Sequence, residues 1–193
     1  MGKIIILDHD VINKIAAGEV IERPASVVKE LIDNSRDAEA SCIRIELING
    51  GKNRITVIDD GCGMSQDDVF FATELHATSK VTSMEDLYSI STLGFRGEAL
   101  SAIAGVSKFS LASKQKGTTG KGMKIEVHGG EIIHTDEWDG PEGTMVTCED
   151  LFFELPARKV FLKSAMTEYS YCSEYIQAMS LADPKIHYIL SHN

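Results

Sequence analysis

Two runs of alternating residues, Cys42–Ile48 and 54–58, flank the turn Asn49-Gly-Gly-Lys-Asn53, and no other stretch constrains the fold as tightly. Ile43, Ile45 and Leu47 alternate with Arg44 and Glu46, which gives the first run one apolar and one polar side. The paired glycines allow the backbone to reverse between the runs. An antiparallel strand pair follows, and its apolar side must be covered by other elements.

Helical segments can supply that cover. Residues 12–17 read as a short helix stopped by Gly18, and Pro24 sits where a longer helix over residues 25–38 can begin. Ser65-Gln-Asp-Asp68 is a capping segment for a helix running to Ala72, and residues 98–104 are apolar enough for a buried helix. Between them, residues 73–92 form a polar loop region with helical turns, of the length expected for a functional lid. Strands are expected over 108–112, 122–128, 131–134 and 144–148, with turns at Gly117-Thr-Thr-Gly120 and His128-Gly-Gly130. Leu155-Pro156-Ala157 leads into a short helix holding Val160 and Phe161, followed by an amphipathic helix over 167–181 and a last strand over 186–190. Helices mixed with mostly hairpin-linked strands define an α/β chain built as a two-layer α/β sandwich. With 193 residues, no repeat and no linker, the whole of 1–193 is expected to be a single domain.

Composition excludes several classes. A net charge of −10 makes the average surface a poor grip for a nucleic acid backbone. Four scattered cysteines without a CxxC pair suggest neither zinc nor a disulfide framework, and the six histidines have no ligand spacing. No apolar run approaches the roughly 20 residues that span a bilayer, and Ile6 stands where a myristoylation signal wants Ser or Thr, so a soluble intracellular protein is expected.

Three segments carry chemistry. On a helix, Glu30, Asn34 and Asp37 fall within about 60° of one another, with Asp33 beside them. This stripe borders the apolar arc of Val27, Val28, Leu31, Ile32 and Ala38, while Lys29 and Arg36 point the other way. A carboxylate at a partly dry edge can take a proton from water, and an amide oxygen one turn on can join phosphate oxygens and waters around magnesium. A solvated acidic helix edge fits the stripe equally well. In Asp59-Asp-Gly-Cys-Gly63, a carboxylate ends an apolar strand beside two glycines that permit close approach of a flat ligand. Such a carboxylate can accept the exocyclic amine of adenine, although Asp-Gly turns are common in strands of every kind. Thr92-Leu-Gly-Phe-Arg-Gly-Glu-Ala-Leu100 places two glycines and an arginine before a helix, where orphan amides bind anions. The absence of GxxxxGK[ST] excludes a P-loop, and the absence of GxGxxG argues against a dinucleotide fold.

Taken in order, the run from Ile15 through Ala-Ala-Gly-Glu-Val-Ile-Glu-Arg-Pro to Glu30, then Asp33-Asn-Ser-Arg-Asp-Ala38, His76-Ala-Thr-Ser-Lys80, Gly94-Phe-Arg-Gly-Glu-Ala-Leu100 and Leu155-Pro-Ala-Arg158, resembles the signature runs of MutL DNA mismatch repair proteins. The resemblance implies the amino-terminal ATPase fold shared with type II gyrases, a heat-shock chaperone and sensor histidine kinases: a mixed sheet with helices on one face. It implies ATP and Mg2+ as cofactors, Glu30 as general base, Asn34 as magnesium ligand and Asp59 as adenine reader. Gly61 and Gly63 would shape the base pocket, and Thr144 would assist through water. Thr78, Ser79 and Lys80, with Gly94, Phe95, Arg96 and Gly97, would close over the triphosphate. Asp37 would be structural, fixing the site, and the Arg158 run would be structural or take part in sensing DNA or a partner. Many members have glycine where this chain has Glu39, and basic residues where it has Glu74-Leu75.

By the same resemblance the chain lacks downstream transducer and dimerisation domains, one of which contributes a lysine to the outer phosphate. The implied function is slow, magnesium-dependent ATP hydrolysis that drives an ATP-gated clamp in mismatch repair. Implied partners are mismatch-recognition and other repair proteins, with DNA met mainly outside this chain. The implied assembly is a homodimer or family heterodimer at full length, a monomer for this fragment. The compartment would be the cytoplasm in a bacterium, the nucleus in a eukaryote. A nucleotide-gated switch with negligible turnover is the competing reading. A phosphotransferase is disfavoured by the lack of a phosphoacceptor helix.

Overall fold

Pro24 opens the helix α1 (Pro24–Asp37) in the computed structural model, which describes residues 20–74 and 99–193. A proline costs nothing at this position, because the first helical N–H has no intrahelical partner. The helix ends in a Schellman motif: the Glu39 amide donates to the Arg36 carbonyl at 3.0 Å and the Ala40 amide to the Ser35 carbonyl at 3.1 Å. Glu39 therefore sits in the left-handed region at φ 57°, the position where the motif favours glycine.

Among the described residues seven strands follow: β1 (Cys42–Ile48), β2 (Arg54–Asp59), β3 (Lys108–Lys114), β4 (Gly122–His128), β5 (Glu131–Trp138), β6 (Gly143–Glu149) and β7 (His187–His192). They make one mixed sheet in the order β5-β4-β3-β6-β2-β1-β7. Every neighbouring pair is antiparallel except β1 with β7, which run parallel. The register aligns Leu47, Ile55, Cys148, Phe109 and Val127 in one row across the sheet, and Ile45, Val57, Val146, Leu111 and Ile125 in the next. All ten side chains are buried, while Arg44 on the opposite face is exposed and Ile58, Lys124 and Glu126 are half-buried. Burial of each large apolar side chain contributes about 1.5–3 kcal/mol, so these rows anchor the sheet to its helices.

The cover is as expected in kind. Val27, Val28, Leu31 and Ile32 of α1 and Ile103 of α3 (Ala99–Val106) belong to the same core as the strand rows. The short helix α2 (Gln66–Phe71) is capped by Ser65, whose Oγ accepts from the Asp68 amide at 3.1 Å. After β6 come α4 (Pro156–Phe161) and α5 (Ala165–Ala182); Ser164 caps the latter, and α5 lies against α1 and the Asn49–Gly51 turn. Five strands run past their expected ends: β2 reaches Asp59, β3 reaches Lys114, β5 reaches Trp138, β6 spans Gly143–Glu149 and β7 is shifted to His187–His192. The expected helix over residues 12–17 and nearly all of the loop region over 73–92 lie outside the described residues.

Candidate functional site

The two apolar rows are succeeded, at one end of the same sheet face, by a polar one. Register pairs Ile43 with Asp59, Asp59 with Thr144, Thr144 with Ser113 and Ser113 with Met123. Asp59, Thr144 and Ser113 are thus neighbours on three adjacent strands. Ser113 Oγ donates to the Gly143 carbonyl at 2.8 Å, lies 3.0 Å from Thr144 Oγ1 and accepts from the Met64 amide at 2.9 Å.

Asp59 is 9% exposed and is surrounded by donors. Ser35 Oγ of α1 reaches Oδ2 at 2.8 Å, and the Gly61 amide reaches Oδ1 at 2.9 Å. Burial raises the Asp59 carboxyl above its ordinary value, against the lowering effect of hydrogen bonds from Gly61, Ser35 and the Thr144 backbone. A carboxylate has about four acceptor positions, so the three donors among the described residues leave room for one more. The next residue works differently: Asp60 Oδ1 accepts from the Ser41 and Cys42 amides at 2.7 and 2.8 Å, tying the end of β2 to the start of β1.

Glycine is required twice in the turn after Asp59. A Cβ on Gly61 would stand 2.7 Å from Ala38 Cβ and 2.9 Å from Asp59 Oδ1. Gly63 adopts φ 66°, and a Cβ there would meet the Lys114 carbonyl oxygen at 2.1 Å. The turn is held by bonds from the Cys62 amide to the Ala38 carbonyl at 2.8 Å and from the Lys116 amide to the Cys62 carbonyl at 2.9 Å.

On α1, Glu30 is 7% exposed, Asn34 is half-buried and Asp37 is exposed, so the acidic stripe does border the buried face. Two of its neighbours are engaged by α5, and one of them, Arg36, departs from the sequence reading. Asp33 is buried and accepts from the Tyr175 hydroxyl of α5 at 3.3 Å. Arg36 does not point into solvent; its Nη1 lies 3.7 Å from Asp33 and its Nη2 3.8 Å from Asp183 at the end of α5. The helical wheel placed Arg36 away from the core and had no means of showing that α5 packs there. Among the candidate residues, Thr78, Ser79, Lys80, Gly94, Phe95, Arg96 and Gly97 lie outside the described residues. Ser35 and Ser113 were not singled out from sequence. Ser35 stands within the Asp33–Ala38 run, but Ser113 acquires its place only through the pairing of β3 with β6.

Magnesium fits this donor set in one way only. Among the described residues there is no group of three His, Cys, Asp or Glu side chains that could hold a metal. A small hard cation that keeps several waters and leans on substrate phosphates needs no such cage, and one amide oxygen such as Asn34's suffices.

A helix carrying Glu and Asn beside a sheet end, with a buried aspartate and a glycine turn, is the arrangement of a nucleotide-binding α/β domain. Residues 21–145 match the family described as histidine kinase-, DNA gyrase B- and HSP90-like ATPase, and the chain belongs to that family. Within it, the similarity is to MutL. The chain is 50% identical over 190 residues, 98% of its length, to the DNA mismatch repair protein MutL of Dictyoglomus turgidum, and 51% identical over 193 residues to that of Clostridium beijerinckii. It spans 33% and 29% of those two proteins, about a third of their length. Among solved structures, the Aquifex aeolicus MutL ATPase domain complexed with ADP is 35% identical, with a TM-score of 0.70 over 90% of this chain and 61% of that one. The N-terminal domain of a DNA repair protein is 31% identical, with a TM-score of 0.80 over 97% of this chain and 54% of that one.

Proposed function

We propose that this chain binds ATP with magnesium and hydrolyses it slowly, and that the bound nucleotide gates a clamp in DNA mismatch repair. The observation that carries the reading is Asp59: a buried carboxylate with one acceptor position to spare among the described residues, next to a turn whose glycines leave no room for side chains. That combination suits the exocyclic amine and flat face of adenine. ADP in the Aquifex MutL ATPase domain, and the family match, support a nucleotide at this site.

In this reading Asp59 accepts from the adenine amine, Gly61 and Gly63 let the ring approach the backbone, and Thr144 contributes through a bridging water. Glu30 takes a proton from the water whose oxygen attacks the terminal phosphorus, as the bond to the ADP oxygen breaks. Asn34 would hold magnesium, which neutralises charge on the phosphate oxygens when bound. The phosphate contacts assigned to Thr78, Ser79, Lys80 and Gly94 to Gly97 rest on the resemblance to MutL. So do the repair partners, the dimeric clamp, the meeting with DNA, and the reading of 1–193 as one ATPase domain that works with downstream domains. Among the described residues no helix is long and apolar enough to cross a membrane.

Glu30→Ala tests the assignment. ATP affinity should stay within a few-fold while hydrolysis falls by about 10²–10⁴. Loss of binding in a folded variant would remove Glu30 from the role of base, and a parent protein without measurable turnover would favour the switch.

A further inference from the structure

Helix α1 has two flanks. One presents Glu30 and Asn34, and the other is held by α5 through Asp33 and Arg36. Asp33 is 5% exposed, and its Oδ1 accepts from the Tyr175 hydroxyl at 3.3 Å and faces Arg36 Nη1 at 3.7 Å. Arg36 also reaches Asp183, which caps the end of α5, at 3.8 Å. Two helices are therefore joined by a chain of four polar side chains at the level of the last two turns of α1.

The geometry points to Tyr175 as a positioning residue, which fixes the rotation of α1 through Asp33 and so aims Glu30 at the attacking water. This rests on the reading of Glu30 as base. Side chains on a helix extend about 5–6 Å from its axis, so a turn of roughly 10° about that axis moves a carboxylate by about 1 Å. A displacement of that size can cost up to about 100-fold in rate when a group must meet a reacting atom. Apolar packing alone resists such rolling weakly, because α1 meets the sheet through interchangeable aliphatic surfaces at Val27, Val28, Leu31 and Ile32. The directional hydrogen bond from Tyr175 to Asp33, with the Arg36 ion pair beside it, resists it better. Opposite them, Ser35 Oγ bonds Asp59 at 2.8 Å, so α1 is pinned on both sides. Tyr175 is half-buried against the core and lies near enough to Glu30 for that carboxylate to raise the phenol, after burial and Asp33 have done so more strongly. It can thus hold α1 without touching nucleotide.

The experiment is single-turnover hydrolysis and ATP affinity in the intact protein for Tyr175→Phe, Asp33→Asn, the double variant and Glu30→Ala. Tyr175→Phe keeps the ring and its packing, so folding should persist. Its hydrolysis should fall about 10-fold with ATP affinity within two-fold of the parent. In the Asp33→Asn background, Tyr175→Phe should add nothing, because it acts only through Asp33. Parental hydrolysis in Tyr175→Phe, or losses that multiply in the double variant, would overturn the assignment, as would affinity and rate falling in parallel. An unimpaired Glu30→Ala would overturn the base itself and this proposal with it. An impaired Glu30→Ala beside an unimpaired Tyr175→Phe would overturn the proposal alone.

Discussion

Ser35 Oγ donates to Asp59 Oδ2 at 2.8 Å and lies 3.0 Å from the Leu31 carbonyl, so a single hydroxyl proton is offered to two acceptors. The helix that presents Glu30 and the strand that ends in Asp59 are joined through it. This shared proton decides how the site tolerates change at Asp59.

In Asp59→Asn, the new amide can donate to Ser35 Oγ while the Ser35 proton turns to Leu31, and the remaining oxygen can still accept from Gly61. Folding stability should therefore change by no more than about 1 kcal/mol. Nucleotide affinity should fall about 5- to 150-fold, since the spare acceptor is lost. Thermal unfolding and ATP titration on the same sample check both halves. A variant that unfolds, or one that binds ATP like the parent, contradicts the account.

Glu39 occupies the left-handed position of the Schellman motif at φ 57°, where a side chain is strained. Glu39→Gly should raise stability by about 0.5–1 kcal/mol, the relief of strain exceeding the backbone freedom gained by the unfolded chain. Urea unfolding at constant slope measures this, and a lower midpoint would show that Glu39 makes a compensating contact.

Gly63→Ala should be costly for the opposite reason. The added carbon would stand 2.1 Å from the Lys114 carbonyl oxygen, a backbone atom that cannot swing aside as a flexible side chain could. The turn must shift, with an expected loss of about 2 kcal/mol or more. Weakened ATP binding should accompany it, and a variant of unchanged stability would mean that the turn is not tied to β3.

Acid should expose the role of Asp60. Its slight burial raises the carboxyl, but the combined bonds from Ser41 and Cys42 prevail and hold it below the ordinary carboxylate value. A depressed folded-state value adds stability that is present above the unfolded value, near pH 4, and is lost as pH falls through the folded one. Asp60→Asn should accordingly be less stable than the parent at neutral pH, with the gap closing in acid. Unfolding midpoints taken from pH 7 down to pH 2 give the curve, and a gap independent of pH would remove the charge from the explanation.

Much of this was legible in local pattern. The hairpin of β1 and β2 was visible because alternation and a two-glycine turn are both short-range signals, and β4 ends where its flanking turns said it would. What escaped was set by partners distant in the chain. The extension of β5 to Trp138 follows from pairing with β4 as far as Gly122, which lengthens the strand beyond its apolar start. Ser113 joined the site through pairing with Thr144, and its own surroundings in sequence resemble any polar strand end. A helical wheel shows the faces on which Asp33 and Arg36 lie, but not which of them a later helix covers.

The order of strands in the sheet also has a history in time. β2 pairs locally with β1, yet its other edge is filled by β6, and β1 waits for β7 at the far end of the chain. Closing such long loops is slow and must precede any gain from the contacts they allow. During synthesis, α1 and the first hairpin can emerge and form while Asp59 still lacks Thr144 beside it. A nascent chain halted before β6 would carry Glu30, Asn34 and Asp59 and have no assembled pocket. The capacity to hold nucleotide therefore waits until β6 has left the ribosome and paired with β2.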